Sequence, residues 1–335
     1  MISPWFLYAG AFLAATLVAL WLTPRVREAA VRFGIVDRPD GRLKTQGEPV
    51  AYLGGLAVFL SFLLAISLVL RFETEVLGFL LAGSIVVLVG LVDDLGSLTP
   101  WQKLAGQGIA ILVLVKSGIV IQLTFLPEWV AIPLSVLWLL AATNAFNLID
   151  IMDGLSSGTA VVAALALLVV ADENGRVSSA VLMAALAGAS LGFLRYNFQP
   201  ARIYLGDAGS LFLGLMLGAV AMDNAYTGMN PLAAIAPALI LGVPLFDMLF
   251  VMHIRRRRGL PVMLGSPDHV ALRLRKWRLS VKQTVGASYL ATAVLGGSAV
   301  AMTRVSFEAA SAILAVLAAA ALVLALFLNR IDMSL

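Results

Sequence analysis

Two adjacent carboxylates, Asp93 and Asp94, close an apolar stretch of the chain, and their type and position suggest chemistry. Neighbouring carboxylates repel each other, and in a low-dielectric setting they need a cation or a proton between them. Lys103 follows at the start of the next apolar stretch, where it could neutralise an acid or hold a phosphate. The alternative is that both acids are solvated and only cap a turn.

A second polar series closes a later apolar stretch. Asn144, Asn147, Asp150 and Asp153 are spaced three residues apart, so on a helix they would follow one slowly drifting stripe. Such a stripe suits a binding surface. A polar seam between two helices remains the alternative.

Glycines surround a third acid in the segment 204–210, which reads Tyr-Leu-Gly-Asp-Ala-Gly-Ser. Glycine lets the backbone approach a ligand closely, and Ser210 could cap the helix that follows. Asp207 could then hold Mg²⁺, which prefers oxygen ligands and is commonly bound by one or two carboxylates together with substrate phosphates. The same pattern also describes an ordinary helix start.

Basic residues gather after an acid that lies inside an apolar run. This acid is Asp247, and an ionisable residue within a membrane span is by default a functional candidate. Arg255 and Arg258 bound a run of four arginines, whose planar groups can bind phosphate oxygens through two hydrogen bonds. The run equally suits an anchor to anionic lipid headgroups. His269, further along this loop, is either a phosphate ligand or a solvated residue.

Together these segments supply acids, amides and cations. The chain has no cysteine and two histidines, which excludes disulfides and thiolate chemistry and argues against a zinc site. Metal ligands and cationic clamps without covalent machinery are what a magnesium-dependent phosphoryl transfer needs. We therefore expect phosphoryl-transfer chemistry with Mg²⁺ as the cofactor and Mn²⁺ as an alternative ion.

The elements that position these residues are predicted to be membrane-spanning helices. Of the 335 residues, 61% are hydrophobic and 13% are charged, whereas a soluble domain is about a quarter charged. A span needs about 20 apolar residues, and runs of this kind recur at roughly 4–23, 51–70, 76–92, 104–121, 128–147, 155–171, 178–194, 211–227, 231–252, 283–302 and 307–328. We predict an all-α polytopic membrane protein, a single domain over 1–335, with about eleven spans, or ten if the run at 155–171 is too short.

The positions of lysine and arginine predict the orientation, because these residues accumulate in cytoplasmic loops. If the N-terminus lies outside and each run crosses once, 19 of the 23 Lys and Arg residues fall inside and the C-terminus is cytoplasmic. The net charge of +4 is then a topology signal, and no basic segment interleaved with aromatics indicates a nucleic-acid partner. The inside segments predicted to form the active site are 24–48, 93–103, 148–154, 195–209 and 253–282.

In order and spacing these segments resemble the polyprenyl-phosphate N-acetylhexosamine-1-phosphate transferases, glycosyltransferase family 4. This superfamily includes the undecaprenyl-phosphate GlcNAc-1-phosphate transferase and the phospho-MurNAc-pentapeptide translocase. The matching stretches are 37–44 with 53–55, 93–94, 144–154, 204–210, and 244–247 with 255–259 and 269. A lone His269 favours the bacterial GlcNAc-type branch, because the translocase has a loop richer in histidine.

The resemblance implies a role for each matching position. Asp207 resembles the magnesium ligand of the family, and Asp93 with Asp94 its acidic pair, which acts on the metal or on the lipid phosphate. Tyr204 matches an aromatic position that would stack on uracil. The residues predicted as catalytic are Asp93, Asp94, Asp150 and His269. Those predicted to bind substrate are Lys44, Lys103, Asn147, Asp153, Tyr204, Arg255 and Arg258. Those predicted to bind the metal are Asp207, Asp93 and Asp94.

Two positions depart from the family pattern. Ile151 follows Asp150 where the family usually has glycine, which could tilt the end of the helix. His269 stands alone where the family loop typically carries several histidines. These departures bear on the geometry next to Asp150 and on the sugar that the loop would select.

The resemblance also implies the reaction. An N-acetylhexosamine-1-phosphate, GlcNAc-1-phosphate above all, passes from a UDP-sugar to undecaprenyl phosphate and UMP is released, as the first membrane step of a cell-surface glycan pathway. The implied location is the bacterial inner membrane, among membrane lipids, with the site facing the cytoplasm and a homodimer as a compatible assembly. A secondary transporter with acidic ion sites is the alternative. Transporters tend to have repeated halves and broken helices at the membrane midplane, whereas the acids here lie mainly at span ends.

Overall fold

The computed structural model describes residues 3–37, 49–71, 73–96, 98–122, 126–261 and 266–333. Its elements in chain order are α1 (Pro4–Arg32), β1 (Val36–Asp37), β2 (Val50–Ala51), α2 (Gly54–Val69), α3 (Thr74–Gly96), α4 (Pro100–Lys116), α5 (Glu128–Leu148), α6 (Leu155–Glu173), α7 (Val177–Asn197), α8 (Gly206–Met222), a 3-10 turn (Pro231–Ile235), α9 (Ala236–Ile240), α10 (Gly242–Arg257), α11 (Val270–Lys276), α12 (Val281–Met302) and α13 (Phe307–Asn329).

The helices confirm an all-α polytopic membrane protein. Within the described ranges, seven helices are long and apolar enough to cross a bilayer, and a bent pair can provide an eighth crossing. Two further apolar helices, α2 and α8, are shorter, with 16 and 17 residues. Apart from the run at 231–252, each apolar run predicted from the sequence coincides with one helix, including α6 over the short sixth run. The number of crossings and the orientation stay predictions.

The run at 231–252 is not one straight helix as the hydropathy pattern suggested. It divides into the segments Pro231–Ile240 and Gly242–Arg257, which meet at an angle of 79°. Pro244 has no N–H to bond the carbonyl of residue 240, so a continuous α-helix cannot be completed through this point. The bend directs α10 away from the segment before it.

Several predicted loops are shorter than expected because the helices continue past the apolar runs. Helix α1 extends to Arg32 and α10 to Arg257. The last turn of α1 contains Arg32 and that of α10 contains three arginines. Arginine has a high helix propensity and interacts favourably with the carbonyl end of a helix. Asp93 and Asp94 likewise belong to the last turn of α3, and not to a loop.

Helix α8 is the central element of the bundle. Apart from Asp207, every residue from Gly206 to Met222 is buried, and α8 packs against α2, α3, α5 and α6. Close approach depends on small residues, as is usual inside membranes. A Cβ on Gly55 would lie 2.1 Å from the backbone nitrogen of Gly209, and one on Gly90 would lie 2.3 Å from Cα of Ala208. Because α8 is held this closely, its first turn has a fixed position.

The contact between α1 and α7 yields a test of the packing. A Cβ on Gly188 would lie 2.2 Å from the carbonyl oxygen of Phe12, so Gly188→Ala should separate the two helices and lower stability by about 1–3 kcal/mol. The measurement is the thermal unfolding midpoint in detergent micelles. Gly10→Ala on α1 is the matched control, because its Cβ would meet no atom within 4 Å. Equal midpoints for both variants would contradict the predicted close contact.

Candidate active site

A small sheet brings three distant segments together at one end of the bundle. Strand β1 pairs antiparallel with β2, and Ala51 of β2 forms a parallel bridge with Ile203. The backbone N–H of Tyr204 donates to the carbonyl of Ala51 at 2.8 Å. Asp37 and Tyr52 therefore lie beside Tyr204, and the two tyrosine rings have centroids 5.9 Å apart. This sheet forms one wall of a cleft.

The ammonium group of Lys103 connects the acids from two helices. Its Nζ lies 3.1 Å from Oδ2 of Asp93 and also contacts Oδ2 of Asp207. It donates a third hydrogen bond to Oδ1 of Asn147 at 3.0 Å. The structure thus brings together four of the residues that the motifs singled out, from α3, α4, α5 and α8.

Asp94 fixes the start of α8. Its carboxylate accepts hydrogen bonds from the backbone N–H groups of Asp207 at 2.8 Å and of Ala208 at 3.2 Å. Gly206 has a positive φ of +71°, and a Cβ there would lie 2.6 Å from Oδ2 of Asp94. Glycine is required at this position, and Asp94 serves as the acidic cap at the positive end of the helix dipole.

The polar series from Asn144 to Asp153 does not lie on one helical stripe, and this prediction was wrong. Helix α5 ends at Leu148, so Asp150 and Asp153 belong to the turn that follows it. Asn144 pairs with Gln107 of α4 in a seam between helices. Asn147 faces the acid cluster and donates to Oδ1 of Asp207 at 2.8 Å. Asn144 therefore belongs to a polar seam between two helices, whereas Asn147 faces the candidate site.

The turn after α5 is supported by Asn197 at the end of α7. Its Oδ1 accepts a hydrogen bond from the N–H of Gly154 at 3.1 Å, and its Nδ2 donates to the carbonyl of Ile203 at 3.0 Å. Asp153 accepts from the N–H of Ala201 at 2.9 Å. Asn197 therefore joins the acidic turn to the sheet segment that carries Tyr204.

These elements enclose a polar cleft of about 470 Å³. The described residues that line it are Asp37, Tyr52, Asp93, Asp94, Asp150, Ile151, Met152, Asp153, Asn197, Tyr204, Leu205, Gly206 and Asp207. Six of these side chains are aspartates, and none of the described lining residues is basic. A ligand that carries phosphates meets net negative charge here unless cations accompany it.

Burial and mutual repulsion raise the pKa values of the acids in the turn. Burial raises the pKa of Asp150 well above its usual range, and the negative charges of Asp207, Asp94 and Asp153 raise it further. Burial also raises the pKa of Asp153, and it raises the pKa of Tyr204 to about 12. A cation in the cleft would relieve this repulsion.

The donor set fits a magnesium ion that a substrate completes. No group of three acidic or histidine side chains in the described ranges is arranged to hold a metal alone. Asp93 and Asp207, however, already share one cation, the ammonium of Lys103. Mg²⁺ is commonly bound by one or two carboxylates together with waters and substrate phosphates. The two oxygen donors are therefore suited to such an ion.

A second cavity, of about 550 Å³, is almost entirely apolar. We call it the apolar groove; it lies among α10, α11, α12 and α13 beside the turn after α5. The described residues that line it include Ile149, Ile151, Phe246, Leu274, Leu295 and Leu317. Asp247 is the charged residue among its described lining residues, and its carboxylate is engaged by hydrogen bonds.

The basic loop does not reach the polar cleft in the described residues. His269 is buried and pairs with Asp247, with Nδ1 and Oδ2 2.6 Å apart. Arg258 makes two 3.1 Å hydrogen bonds to Asp268, and Arg255 donates to the carbonyl of Pro261. The predicted roles of His269, Arg255 and Arg258 in catalysis and binding stay predictions, and Lys44 lies outside the described residues.

The family profile described as Glycosyl transferase family 4 matches residues 76–225, from α3 to just beyond α8. A probable undecaprenyl-phosphate N-acetylglucosaminyl 1-phosphate transferase of Bacillus subtilis (strain 168) is 33% identical over 302 residues, which cover 87% of this chain and 84% of the relative. This chain belongs to glycosyl transferase family 4. The resemblance drawn from the motifs is confirmed, and the chain is a membrane glycosyltransferase.

Two other similar proteins also cover most of this chain. A decaprenyl-phosphate N-acetylglucosaminephosphotransferase of Mycolicibacterium smegmatis is 31% identical over 316 residues, which cover 83% of this chain and 78% of the relative. A phospho-N-acetylmuramoyl-pentapeptide-transferase of Heliobacterium modesticaldum is 33% identical over 317 residues, which cover 85% of this chain and 95% of the relative.

Three cleft residues with polar side chains were not among the predicted site residues. Asp37 occurs in a matching stretch, but nothing in its local sequence shows that β1 would bring it to the cleft. Tyr52 precedes the glycine pair at the start of α2, and its hydroxyl bonds to Asp37. Asn197 is a polar residue at the end of an apolar helix, and this position was the one signal in the sequence that could have identified it. Each owes its place to contacts distant in sequence.

Replacement of Lys103 tests the cluster. Lys103→Met removes the cation that Asp93 and Asp207 share, so we expect the rate of sugar-phosphate transfer to fall by about 100-fold or more. Lys116→Met is the control, since Lys116 is exposed at the opposite end of the same helix. Both variants are purified and compared in one transfer assay. Equal rates would show that the cluster has no part in the reaction.

Proposed function

We propose that this glycosyltransferase transfers GlcNAc-1-phosphate from UDP-GlcNAc to undecaprenyl phosphate and releases UMP. One observation carries the proposal: an acid-lined cleft and an apolar groove adjoin each other at the turn after α5. A polar cleft suits a nucleotide diphosphate, and an apolar groove suits an isoprenoid chain. The names of the relatives from Bacillus subtilis and Mycolicibacterium smegmatis describe N-acetylglucosamine phosphate transfer to prenyl phosphates.

The UDP-sugar occupies the polar cleft. Tyr204 offers a ring that is partly exposed to the cleft and held by the small sheet, so it can stack on uracil. Asn147, Asp150 and Asp153 lie on the diphosphate side, with Lys103 close to the phosphates. Stacking and hydrogen bonding of this kind orient the β-phosphorus without covalent chemistry.

The prenyl chain of the acceptor occupies the apolar groove. Apart from Asp247 and Ser288, the described residues of its lining are apolar or glycine, and the groove adjoins the acid cleft. Each isoprene unit that moves there from the lipid gains van der Waals contact with the apolar lining. The phosphate at the end of the chain then lies at the entrance to the cleft.

The phosphates need a divalent cation, which we propose to be Mg²⁺, with Mn²⁺ as an alternative. Asp207 and Asp93 are the residues that would hold it. Asp94 fixes the position of Asp207, because its carboxylate accepts a hydrogen bond from the backbone N–H of Asp207 at the start of α8. When bound, the ion neutralises charge on the diphosphate and polarises the phosphorus–oxygen bond. Lys103 would then release its contact with one of the acids and bind a phosphate oxygen.

The reaction exchanges one phosphorus–oxygen bond for another. An oxygen of the lipid phosphate bonds to the β-phosphorus, the bond from that phosphorus to the bridging oxygen breaks, and UMP leaves with this oxygen. The product is a prenyl diphosphate that carries the sugar. A phosphate monoester has a second pKa of about 6, so it is mostly dianionic at neutral pH and needs no strong base. Asp93 is therefore proposed to orient the nucleophile or bind the metal.

The site is proposed to face the cytoplasm of a bacterial cell from its inner membrane, where UDP-sugars are available. The concentration of Lys and Arg in the segments around the cleft supports this orientation. The reaction would begin the assembly of a cell-surface glycan. A homodimer is compatible with this arrangement.

Incubation with both substrates tests the function. Purified protein, undecaprenyl phosphate and Mg²⁺ are combined with UDP-GlcNAc, UDP-GalNAc or UDP-MurNAc-pentapeptide, and UMP is measured. We expect UMP with UDP-GlcNAc, loss of UMP on chelation with EDTA, and recovery with Mg²⁺ or Mn²⁺. A folded protein that releases no UMP from any sugar would refute the proposal and favour transport.

A pair of conservative variants tests whether Asp207 binds the metal ion. Asp207→Asn keeps the shape of the side chain but removes its charge, so we expect a rate loss of about 100-fold or more that is only partly relieved by excess Mg²⁺. Asp172→Asn is the matched variant, because Asp172 lies at the other end of the bundle, where it accepts a hydrogen bond from Tyr8. Unchanged turnover in Asp207→Asn would exclude Asp207 as the ligand.

The base-stacking role of Tyr204 has its own test. Tyr204→Ala should raise KM for UDP-GlcNAc by roughly 5- to 150-fold, because stacking on a base contributes about 1–3 kcal/mol. Tyr204→Phe keeps the ring and should leave this KM almost unchanged. The KM for undecaprenyl phosphate should stay constant in both. An Ala variant that changes only the lipid KM would place the nucleotide elsewhere.

A further inference from the structure

Ile151 is the one described residue that lines both cavities. Its chain neighbours divide between them: Asp150 and Met152 line the polar cleft only, whereas Ile149 lines the apolar groove only. Ile151 is itself partly buried and packs against the hydrophobic core. The boundary between cleft and groove is therefore formed at this side chain.

An acceptor that occupies both cavities must cross this boundary at the point where its phosphate head joins its prenyl chain. A phosphate placed in the groove would lose its solvation without gaining a partner, and a prenyl carbon placed among six aspartates would gain no apolar contact. The head and the first isoprene unit are therefore separated at Ile151. A β-branched side chain is stiff at χ1, so it presents a fixed surface at this position.

We infer that Ile151 is a specificity-determining residue for the lipid acceptor. It contacts the isoprene unit next to the phosphate and sets how far the phosphate advances towards the acid cluster. Its side chain also borders the polar cleft, but an aliphatic side chain offers no hydrogen bond to a UDP-sugar, so we assign Ile151 to the acceptor. The inference rests on the proposed function, because it takes a prenyl phosphate as the acceptor.

The kinetic test separates the two substrates. Ile151→Phe narrows the passage and Ile151→Ala removes the apolar contact, so each should raise KM for undecaprenyl phosphate by about tenfold or more. KM for UDP-GlcNAc should stay within about twofold of the wild-type value, because a change in the acceptor pocket alters the binding of the acceptor. Both constants come from UMP release in the same micelles. A change shared equally by the two KM values, or no change in either, would overturn the inference.

A variant outside both cavities controls for a general effect. Leu137→Ala on α5 changes an exposed aliphatic side chain that lines neither cavity, so both KM values should stay unchanged. Thermal midpoints are measured for every variant. Should Ile151→Phe fail to fold, Ile151→Val removes a single methylene and should still raise the lipid KM alone; equal KM values for Val and Ile would count against the inference.

Acceptor length locates the contact along the chain. With a phosphate that carries two isoprene units, Ile151→Ala should be as harmful as with undecaprenyl phosphate, because the contact is next to the phosphate. Leu314→Ala, on the α13 side of the groove, should affect only the long acceptor. If the effect of Ile151→Ala disappears with the short acceptor, the contact lies further along the chain and the inference is wrong.

A binding measurement keeps this test separate from the proposed reaction. Affinity for undecaprenyl phosphate alone is measured by a shift in thermal midpoint, without UDP-sugar. Weaker binding by Ile151→Phe than by the wild type would support the acceptor contact even if no UMP forms, in which case the proposed reaction alone fails. Equal binding would refute the contact whatever the wild type catalyses.

Discussion

The carboxylate of Asp94 holds the backbone N–H groups of Asp207 and Ala208, and this contact joins the end of α3 to the start of α8. Helix α8 is buried on all sides, so its first turn cannot shift without repacking the bundle. Asp207 is therefore presented at a fixed place, within reach of Lys103 and Asn147. The positive φ of Gly206 belongs to the same contact, because a side chain there would displace Asp94.

A cleft with six aspartates is costly to fold, and the structure offsets this cost in several ways. Lys103 neutralises part of the charge on Asp93 and Asp207. Backbone N–H groups stabilise Asp94 and Asp153. Burial, and after it the negative charges of Asp207, Asp94 and Asp153, raise the pKa of Asp150, so part of the cost remains. Such a cleft is poised to accept cations together with phosphates, which agrees with the proposed chemistry and with the shared cation between two of its acids.

Local sequence features predicted the helices and much of the acid cluster, but not how the parts meet. All the apolar runs except 231–252 correspond to single helices, because a membrane span needs that length of apolar backbone. The bend before α10 was missed, since hydropathy reports composition and not direction. Asp94 and Asp207 are 113 residues apart in sequence, so no local pattern could show that one caps the helix of the other. Asn144 and Asp150 have different roles. They looked alike in the sequence because the spacing of three residues continues past the end of α5.

The two cavities together explain why the second half of the chain departs from a plain bundle. The 79° bend within the run at 231–252 directs α10 to one side, where Val243, Phe246 and Asp247 line the groove. Helix α13 has only two buried residues in its described length, Ala310 and Leu328. It is held at its two ends instead. Near its start Ala310 is buried and Asn230 donates to the carbonyl of Val305, and at its end buried Arg273 donates to the carbonyls of Leu328 and Ile331. A helix held at its ends leaves the groove open along its side, so a long prenyl chain could enter from the bilayer without crossing water. The proposed reaction requires such an entrance, because its acceptor stays in the membrane while its donor is soluble.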